Sequence, residues 1–243
     1  MEIKGYVDMH SHIIPGVDDG SQSLEDSIQM LKMAYEEGVR TMYATPHFGS
    51  GKEHYDAEIL RKRFEEVSNA AKDIGEEGIT LILGNEVTYS PGAVELINDG
   101  TALTMGGSRY VLMEFDYGAS FKSIYKGLQQ IINAGYRPIL AHIERYYCLI
   151  KKYDDIASLR ELGVALQINA ASVIPKLSQE AKFCRKLVRE GYIQFLGSDC
   201  HSPSWRPPVM KSAIEVLEKK TPEKYMDRIL RRNPEKMFNN EFI

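Results

Sequence analysis

Histidines and carboxylates recur in this chain in a pattern that points to metal chemistry. His10 and His12 stand one residue apart in the segment VDMHSHII, which begins at Val7. His47, His142 and His201 follow other short apolar runs. Acidic residues hold comparable places: Asp19 shortly after the first run, Glu86 after the third, Glu114 after the fourth, and Asp199 two residues before His201. A single histidine at the end of a strand is more often a satisfied structural group than a ligand. So many imidazoles and carboxylates at one end of a fold are harder to explain that way, because burying them without a cation leaves unpaired charge and a heavy desolvation cost. Neutral imidazole nitrogen and carboxylate oxygen suit zinc, manganese or iron, and thiolates are hardly represented. The expected chemistry is that of a cluster of divalent ions, which polarises an electrophile and activates water near neutral pH.

A repeated alternation of elements must position these residues. Seven short segments rich in Val, Ile, Leu and Tyr are bounded by Gly, Pro or charged residues, as buried parallel strands are: YVDMH, TMYATPH, TLILGNE, YVLMEF, RPILAHIE, ALQINA and IQFLGSD. Helical patterns separate them at 24–37, 56–76, 92–98, 121–134, 155–162 and 179–190, with two more after the last strand. Gly38, Gly135, Gly163 and Gly191 each stand just past a helix, where a left-handed residue closes it. The chain reads β then α seven times without a linker. This predicts one domain, 1–243, and an α/β barrel or a doubly wound sheet. In either fold the carboxyl ends of the strands form the functional face, and the histidines and acids fall there.

Composition narrows the function. With 243 residues, 43% hydrophobic and 26% charged, the chain can bury a large core as an ordinary globular protein does. A formal net charge of -4 and scattered basic residues argue against a surface built for nucleic-acid phosphates. No stretch approaches the roughly 20 apolar residues of a membrane span, and MEIKGYVDMH lacks the apolar centre of a signal peptide. Cys148, Cys184 and Cys200 are too few and too scattered for a disulfide framework, which fits a reducing compartment. The expectation is a cytoplasmic protein without a membrane span.

The motifs carry a family resemblance. DMHSH, TPH, GNE, LMEF, AHIER and SDCH, in that order, resemble the successive motifs of the PHP (polymerase and histidinol phosphatase) superfamily. Within it, HIIPGVDDG, EEGVRTMYATPH, AHIERY and SDCHSPSWRPP resemble the CpsB/CapC type of metal-dependent protein-tyrosine phosphatase, encoded with bacterial capsule and exopolysaccharide genes. The resemblance implies a distorted seven-stranded (β/α) barrel of PHP type, with the active site at the C-terminal ends of the strands. It implies three divalent metal ions, manganese first, with iron or zinc as alternatives. One ion would be held by His10, His12, Glu86 and Asp199, a second by Glu86, Glu114 and His142, and a third by Asp19, His47 and His201. Asp18 is the rival to Asp19, and its alternative role is that of a turn residue before Gly20. Arg145 and Arg206 match arginines of the family site and are assigned to phosphate binding and leaving-group stabilisation, because the guanidinium fork fits phosphate oxygens. The implied partner is the phosphotyrosine tail of a bacterial tyrosine autokinase that controls polysaccharide export.

Other readings stay open on the residues alone. Cys200 to Arg206 has the Cys-x5-Arg spacing of thiol phosphatases, but Pro203 removes an N–H donor that such a loop needs, and Cys200 is expected to face the core. A small-molecule phosphatase of the histidinol-phosphate kind, or a phosphoesterase acting on nucleotides, would use the same ions. A non-catalytic metal-bound regulatory module is a further alternative, against which the full ligand set together with both arginines speaks, since a binding module has no need of a water-activating cluster. Phe48, Tyr89, Tyr117, Tyr146 and Trp205 could stack on a phosphotyrosine ring or simply pack in the core. His54 belongs to no motif and is read as a surface residue.

Overall fold

The computed structural model describes residues 5–49, 55–175 and 177–243, so His54 lies outside the described residues. Each of the seven apolar runs contains a strand, and two of the runs contain two. The strands are β1 (Tyr6–Ser11), β2 (Val39–Ala44), β3 (His47–Phe48), β4 (Thr80–Leu83), β5 (Glu86–Thr88), β6 (Tyr110–Glu114), β7 (Arg137–Leu140), β8 (Ala165–Asn169) and β9 (Phe195–Gly197). The second run breaks at Thr45 and Pro46, and the third at Gly84 and Asn85. Pro46 has no N–H to donate to a ladder. Its carbonyl instead accepts from the side chain of Asn85 at 3.0 Å, which ties the two breaks together.

All strand pairs are parallel. They form one sheet ordered β1-β2-β4 and another ordered β3-β5-β6-β7-β8-β9. Since β3 and β5 continue the paths of β2 and β4, the strands make one curled parallel surface. Its last strand returns beside its first: Asp199 N donates to His10 O at 2.7 Å, and His12 N donates to Cys200 O at 2.9 Å. The register of β1 on β2 slips twice, between Tyr6 and Val7 and between Asp8 and Ser11. Such irregularities re-aim side chains beside active sites.

Helices α1 (Leu24–Glu36), α2 (Ala57–Lys72), α3 (Ala93–Asn98), α4 (Phe121–Asn133), α5 (Tyr153–Leu162) and α6 (Gln179–Arg189) lie between strands, and α7 (Lys211–Glu218), α8 (Glu223–Asp227) and α9 (Asn233–Phe238) follow the last strand. Four start on a side-chain cap that satisfies an orphan N–H: Ser23, Asp56, Ser120 and Ser178. The glycines that close the helices, Gly38, Gly135, Gly163 and Gly191, have φ between 83° and 97°, the left-handed turn expected of them.

Strand alternation splits the core in two. Val111, Met113, Leu166, Ile168 and Leu196 join the apolar cluster that includes the helices. Val7, Tyr43, Leu112, Ile139 and Phe195 form a second cluster with residues of the other strand face. In β8, the polar Gln167 and Asn169 alternate with Leu166 and Ile168 and are buried all the same. Among the described residues no helix is long and apolar enough to cross a membrane.

Candidate metal centre

The strand ends bring the nine ligand candidates and both arginines into one cluster. His10 stands one residue before the end of β1 with His12 just beyond it, His47 opens β3, Glu86 opens β5, Glu114 closes β6, and His142, Asp199 and His201 follow β7 and β9. His10, His12, Glu86, His142, Asp199 and His201 are buried, His47 and Glu114 are partly covered, and Asp19 is exposed at the rim.

Glu86 is the hub. Its Oε2 lies 3.1 Å from His10 Nε2, 3.4 Å from His12 Nε2 and 3.1 Å from His47 Nδ1, and its Oε1 lies 2.7 Å from His142 Nε2. Asp199 Oδ1 stands 3.6 Å from His10 Nε2 and 3.4 Å from His12 Nε2. Glu114 reaches His142 Nε2 at 3.4 Å and His47 Nδ1 at 3.5 Å. Asp19 Oδ1 sits 3.4 Å from His201 Nε2 and 3.5 Å from His47 Nε2. Three groups converge closely enough to share an ion: His12 with Asp19, His47 and His201; His10 with His12 and Glu86; and His47 with Glu86 and Glu114. His12, His47 and Glu86 each stand in two of these groups. Compared with the sets implied by the resemblance, His12 joins Asp19, His47 and His201, and His47 stands beside Glu86 and Glu114 in place of His142. His142 and Asp199 lie outside the three groups, 2.7 Å from Glu86 and 3.4 Å from His12 respectively.

This donor set fits divalent ions. His10 Nε2 and His12 Nε2 face each other at 3.1 Å, two nitrogens that cannot both be satisfied as neutral acceptors. Glu86 Oε2 is buried with no hydrogen-bond partner although three imidazole nitrogens stand 3.1–3.4 Å from it. Donors held at about 2 Å from a common ion stand roughly 3 Å apart, which is the spacing found here. Without ions, protons must supply the positive charge. Burial drives the Glu86 carboxyl up, but the surrounding His10 and His142 outweigh it and hold it well below the usual range. Burial likewise lowers His142, yet the charge of Glu86 beside it prevails and lifts the imidazole to about 10.

A supporting layer orients the ligands, and most of it was not apparent from the sequence. Asp18 Oδ2 pairs with His12 Nδ1 at 2.7 Å and accepts from His47 N at 3.0 Å, while its Oδ1 accepts from Gly20 N at 2.9 Å. Asp18 therefore serves the turn and also points His12 Nε2 into the cluster, whereas Asp19 faces His47 and His201. Partnering one imidazole nitrogen in this way fixes the tautomer at the other. A Cβ at Gly20 would come within 2.3 Å of His12 O, so that turn closes only on glycine. Gln167 Oε1 accepts from His142 N at 2.7 Å, and Asn169 Nδ2 donates to Asp199 Oδ2 at 2.6 Å. Asp8, its carboxyl pushed up to about 6 by burial, accepts from Ser198 N at 2.7 Å and ties β1 to the Asp199 loop. The available signal was polar residues inside apolar runs. His142 and Asp199 also adopt φ of 29° and 54°, uncommon for residues with a Cβ and typical of functional sites.

Both arginines converge on Asp199 Oδ2, which accepts from Arg145 Nη2 at 3.0 Å and from Arg206 Nη2. Arg206 Nη1 also reaches His201 Nε2 at 3.3 Å, and Arg145 Nη1 donates to Tyr117 Oη at 3.0 Å. Cys200 is buried in the apolar core, and burial pushes its thiol up to about 12, the opposite of an activated nucleophile. The three cysteines are free. Of the five aromatics, Phe48 and Tyr146 are core residues, Tyr89 stacks on Phe115 at 4.9 Å, and Tyr117 and Trp205 flank His142 and His201.

Fold and site define a class: a parallel α/β protein with a buried centre of nitrogen and oxygen donors at its strand ends, edged by arginines. The chain matches the family described as capsular polysaccharide synthesis, CpsB/CapC, over residues 6–239, and it belongs to that family. It is 32% identical over 243 residues to the tyrosine-protein phosphatase CpsB of Streptococcus pneumoniae, covering 98% of this chain and 100% of that one. It is 28% identical over 240 residues to the tyrosine-protein phosphatase YwqE of Bacillus subtilis, covering 98% and 93%. A solved structure from a crystallographic study of YwqE from Bacillus subtilis and CpsB from Streptococcus pneumoniae, described as unique metal-dependent tyrosine phosphatases, superposes with a TM-score of 0.88. Its identity is 27%, over 98% of this chain and 96% of that one.

Proposed function

We propose that this chain is a metal-dependent protein-tyrosine phosphatase. The observation that carries the reading is the convergence of Arg145 and Arg206 on Asp199 at the edge of the imidazole–carboxylate cluster. Two guanidinium groups beside a cation centre suit a phosphomonoester dianion, whose oxygens repel any nucleophile until their charge is met. When bound, the ions supply positive charge and activate water.

The chain's own residues do the rest. Arg145 and Arg206, held ready by Asp199, take phosphoryl oxygens and stabilise charge on the departing phenolate. Tyr117 positions Arg145 through its 3.0 Å hydrogen bond. Asp18 and Gln167 hold His12 and His142 in place. The ligand sets proposed are His10, His12, Glu86 and Asp199; Glu86, Glu114 and His142; and Asp19, His47 and His201, for three ions with manganese first. The architecture proposed is a single domain, 1–243, whose seven strand segments form a distorted PHP-type barrel. The substrate proposed is the phosphorylated Tyr-rich tail of a bacterial tyrosine autokinase that controls capsular or exopolysaccharide synthesis, met by this chain in the cytoplasm. A disordered tail can present one ring at a time, and phosphotyrosine reaches further from its backbone than phosphoserine does.

The test compares kcat/KM for a phosphotyrosyl peptide, a phosphoseryl peptide and histidinol phosphate at one manganese concentration. The phosphotyrosyl peptide should be cleaved much the fastest. A clear preference for histidinol phosphate would assign the chain to small-molecule hydrolysis instead.

A further inference from the structure

Trp205, the single tryptophan of the chain, stands at the edge of the centre with 68% of its surface exposed. Residues 201–206 form a tight reversal in which the carbonyl of Arg206 accepts from His201 N at 2.9 Å and Ser202 N at 3.3 Å. Ser204 N donates to Ser202 Oγ at 3.2 Å inside it, and Pro203, Pro207 and Pro208 restrict the backbone on either side. The Trp205 ring lies edge-on to His201, with centroids 6.0 Å apart. Its neighbour Arg206 turns inward to Asp199 and His201. One rigid loop therefore presents an ion ligand candidate, a phosphate-binding arginine and an open aromatic ring in adjacent positions.

We infer that Trp205 is the wall on which the phenyl ring of phosphotyrosine packs; this rests on the phosphatase reading above. A phosphoryl group taken by Arg206 beside His201 carries its aryl ring one ester oxygen further out, towards the rim where Trp205 stands. Aromatic rings pair favourably at about 4.5–7 Å between centroids, and a ring already ordered on a stiff loop loses little freedom in doing so. The other candidates are committed: Phe48 and Tyr146 are buried, Tyr89 is stacked on Phe115, and Tyr117 holds Arg145 on the His142 side. Phosphoserine has no ring to offer, so this contact selects for phosphotyrosine.

Because Trp205 is the single tryptophan, its emission reports the contact directly. The manganese-loaded protein is titrated with a peptide carrying phosphonomethyl-phenylalanine, an uncleavable phosphotyrosine analogue, and separately with inorganic phosphate. The aryl phosphonate should give a saturable blue shift as water leaves the ring, and inorganic phosphate should compete for the site without that shift. Trp205→Ala should weaken aryl phosphonate binding and raise KM for the phosphotyrosyl peptide roughly three- to tenfold, while kcat moves little and phosphate affinity is kept. Trp205→Phe should recover most of the loss. An aryl phosphonate that binds without shifting the emission, or binds Trp205→Ala as tightly as wild type, overturns the inference and leaves the phosphatase reading intact. A wild-type protein that neither cleaves phosphotyrosine nor binds the aryl phosphonate overturns both.

Discussion

The floor and the rim of the centre are built to opposite rules. On the floor, His10, His12, Glu86, His142 and Asp199 are buried, and Asp18, Gln167 and Asn169 fix three of them by hydrogen bonds. At the rim, Asp19 has a side chain 69% exposed, Trp205 faces solvent, and Arg206 reaches inward from a surface loop. Buried ligands need a cation, or protons in its place, to offset their desolvation, so the floor couples ion binding to the integrity of the fold. Arg206 and Trp205 stand where a substrate entering from solvent meets them. Substitutions on the floor should therefore alter ion content and stability, and those at Arg206 and Trp205 should alter turnover or substrate binding with ion content kept.

The largest effect is expected at the hub. Glu86→Ala removes the carboxylate that faces four imidazoles, and the protein should lose bound metal, all measurable phosphatase activity and thermal stability together. Metal analysis beside a melting curve checks this, and normal ion content would break the floor half of the comparison. Arg206→Ala should come next, lowering kcat/KM by roughly two to four orders of magnitude with ion content near wild type. Full activity in that variant would remove the arginine from the account.

Asp18→Asn sharpens the boundary between the two regions. It keeps the shape of the turn but weakens the partner of His12 Nδ1, and ion affinity or activity should fall about 10–100-fold, the usual cost of losing a group that orients a ligand. Isothermal titration with manganese would measure it. The smallest effect is one of pH. In the ion-free protein burial lowers His142, but Glu86 outweighs it and the imidazole keeps its proton up to about 10, so an incoming ion must displace that proton. Affinity should rise with pH across the neutral range, by about tenfold per unit for each proton released, and binding should acidify a weakly buffered solution. Affinity that is flat or falls with rising pH would contradict it.

How much of this was legible in the sequence follows from what each residue depends on. Parallel strands bury both faces, so their apolar runs stood out, and ligand candidates at run ends could be read once the runs were placed. The breaks at Pro46 and at Gly84–Asn85 were read through, because apolar residues continue on either side and only the curl of the sheet makes each run bend. Asp18 read as a turn residue, and its Oδ1 serves the turn; its second role, orienting His12 through Oδ2, depends on the fold that also brings His47 N, 29 residues away, to the same oxygen. Asp8, Gln167 and Asn169 are polar residues within apolar runs. Their partners come from other strand ends or from the strand that closes the curl, an association that periodicity does not encode.

The most direct test of the central claim separates ions from thiol. Phosphotyrosyl-peptide hydrolysis is measured on the native protein, after exhaustive chelation, after return of Mn²⁺, and after alkylation of the cysteines. Chelation should abolish turnover, manganese should restore it, and alkylation should change little, because Cys200 is buried and its thiol is held protonated. Full turnover by protein verified to be free of metal, or its loss on alkylation alone, would contradict that claim.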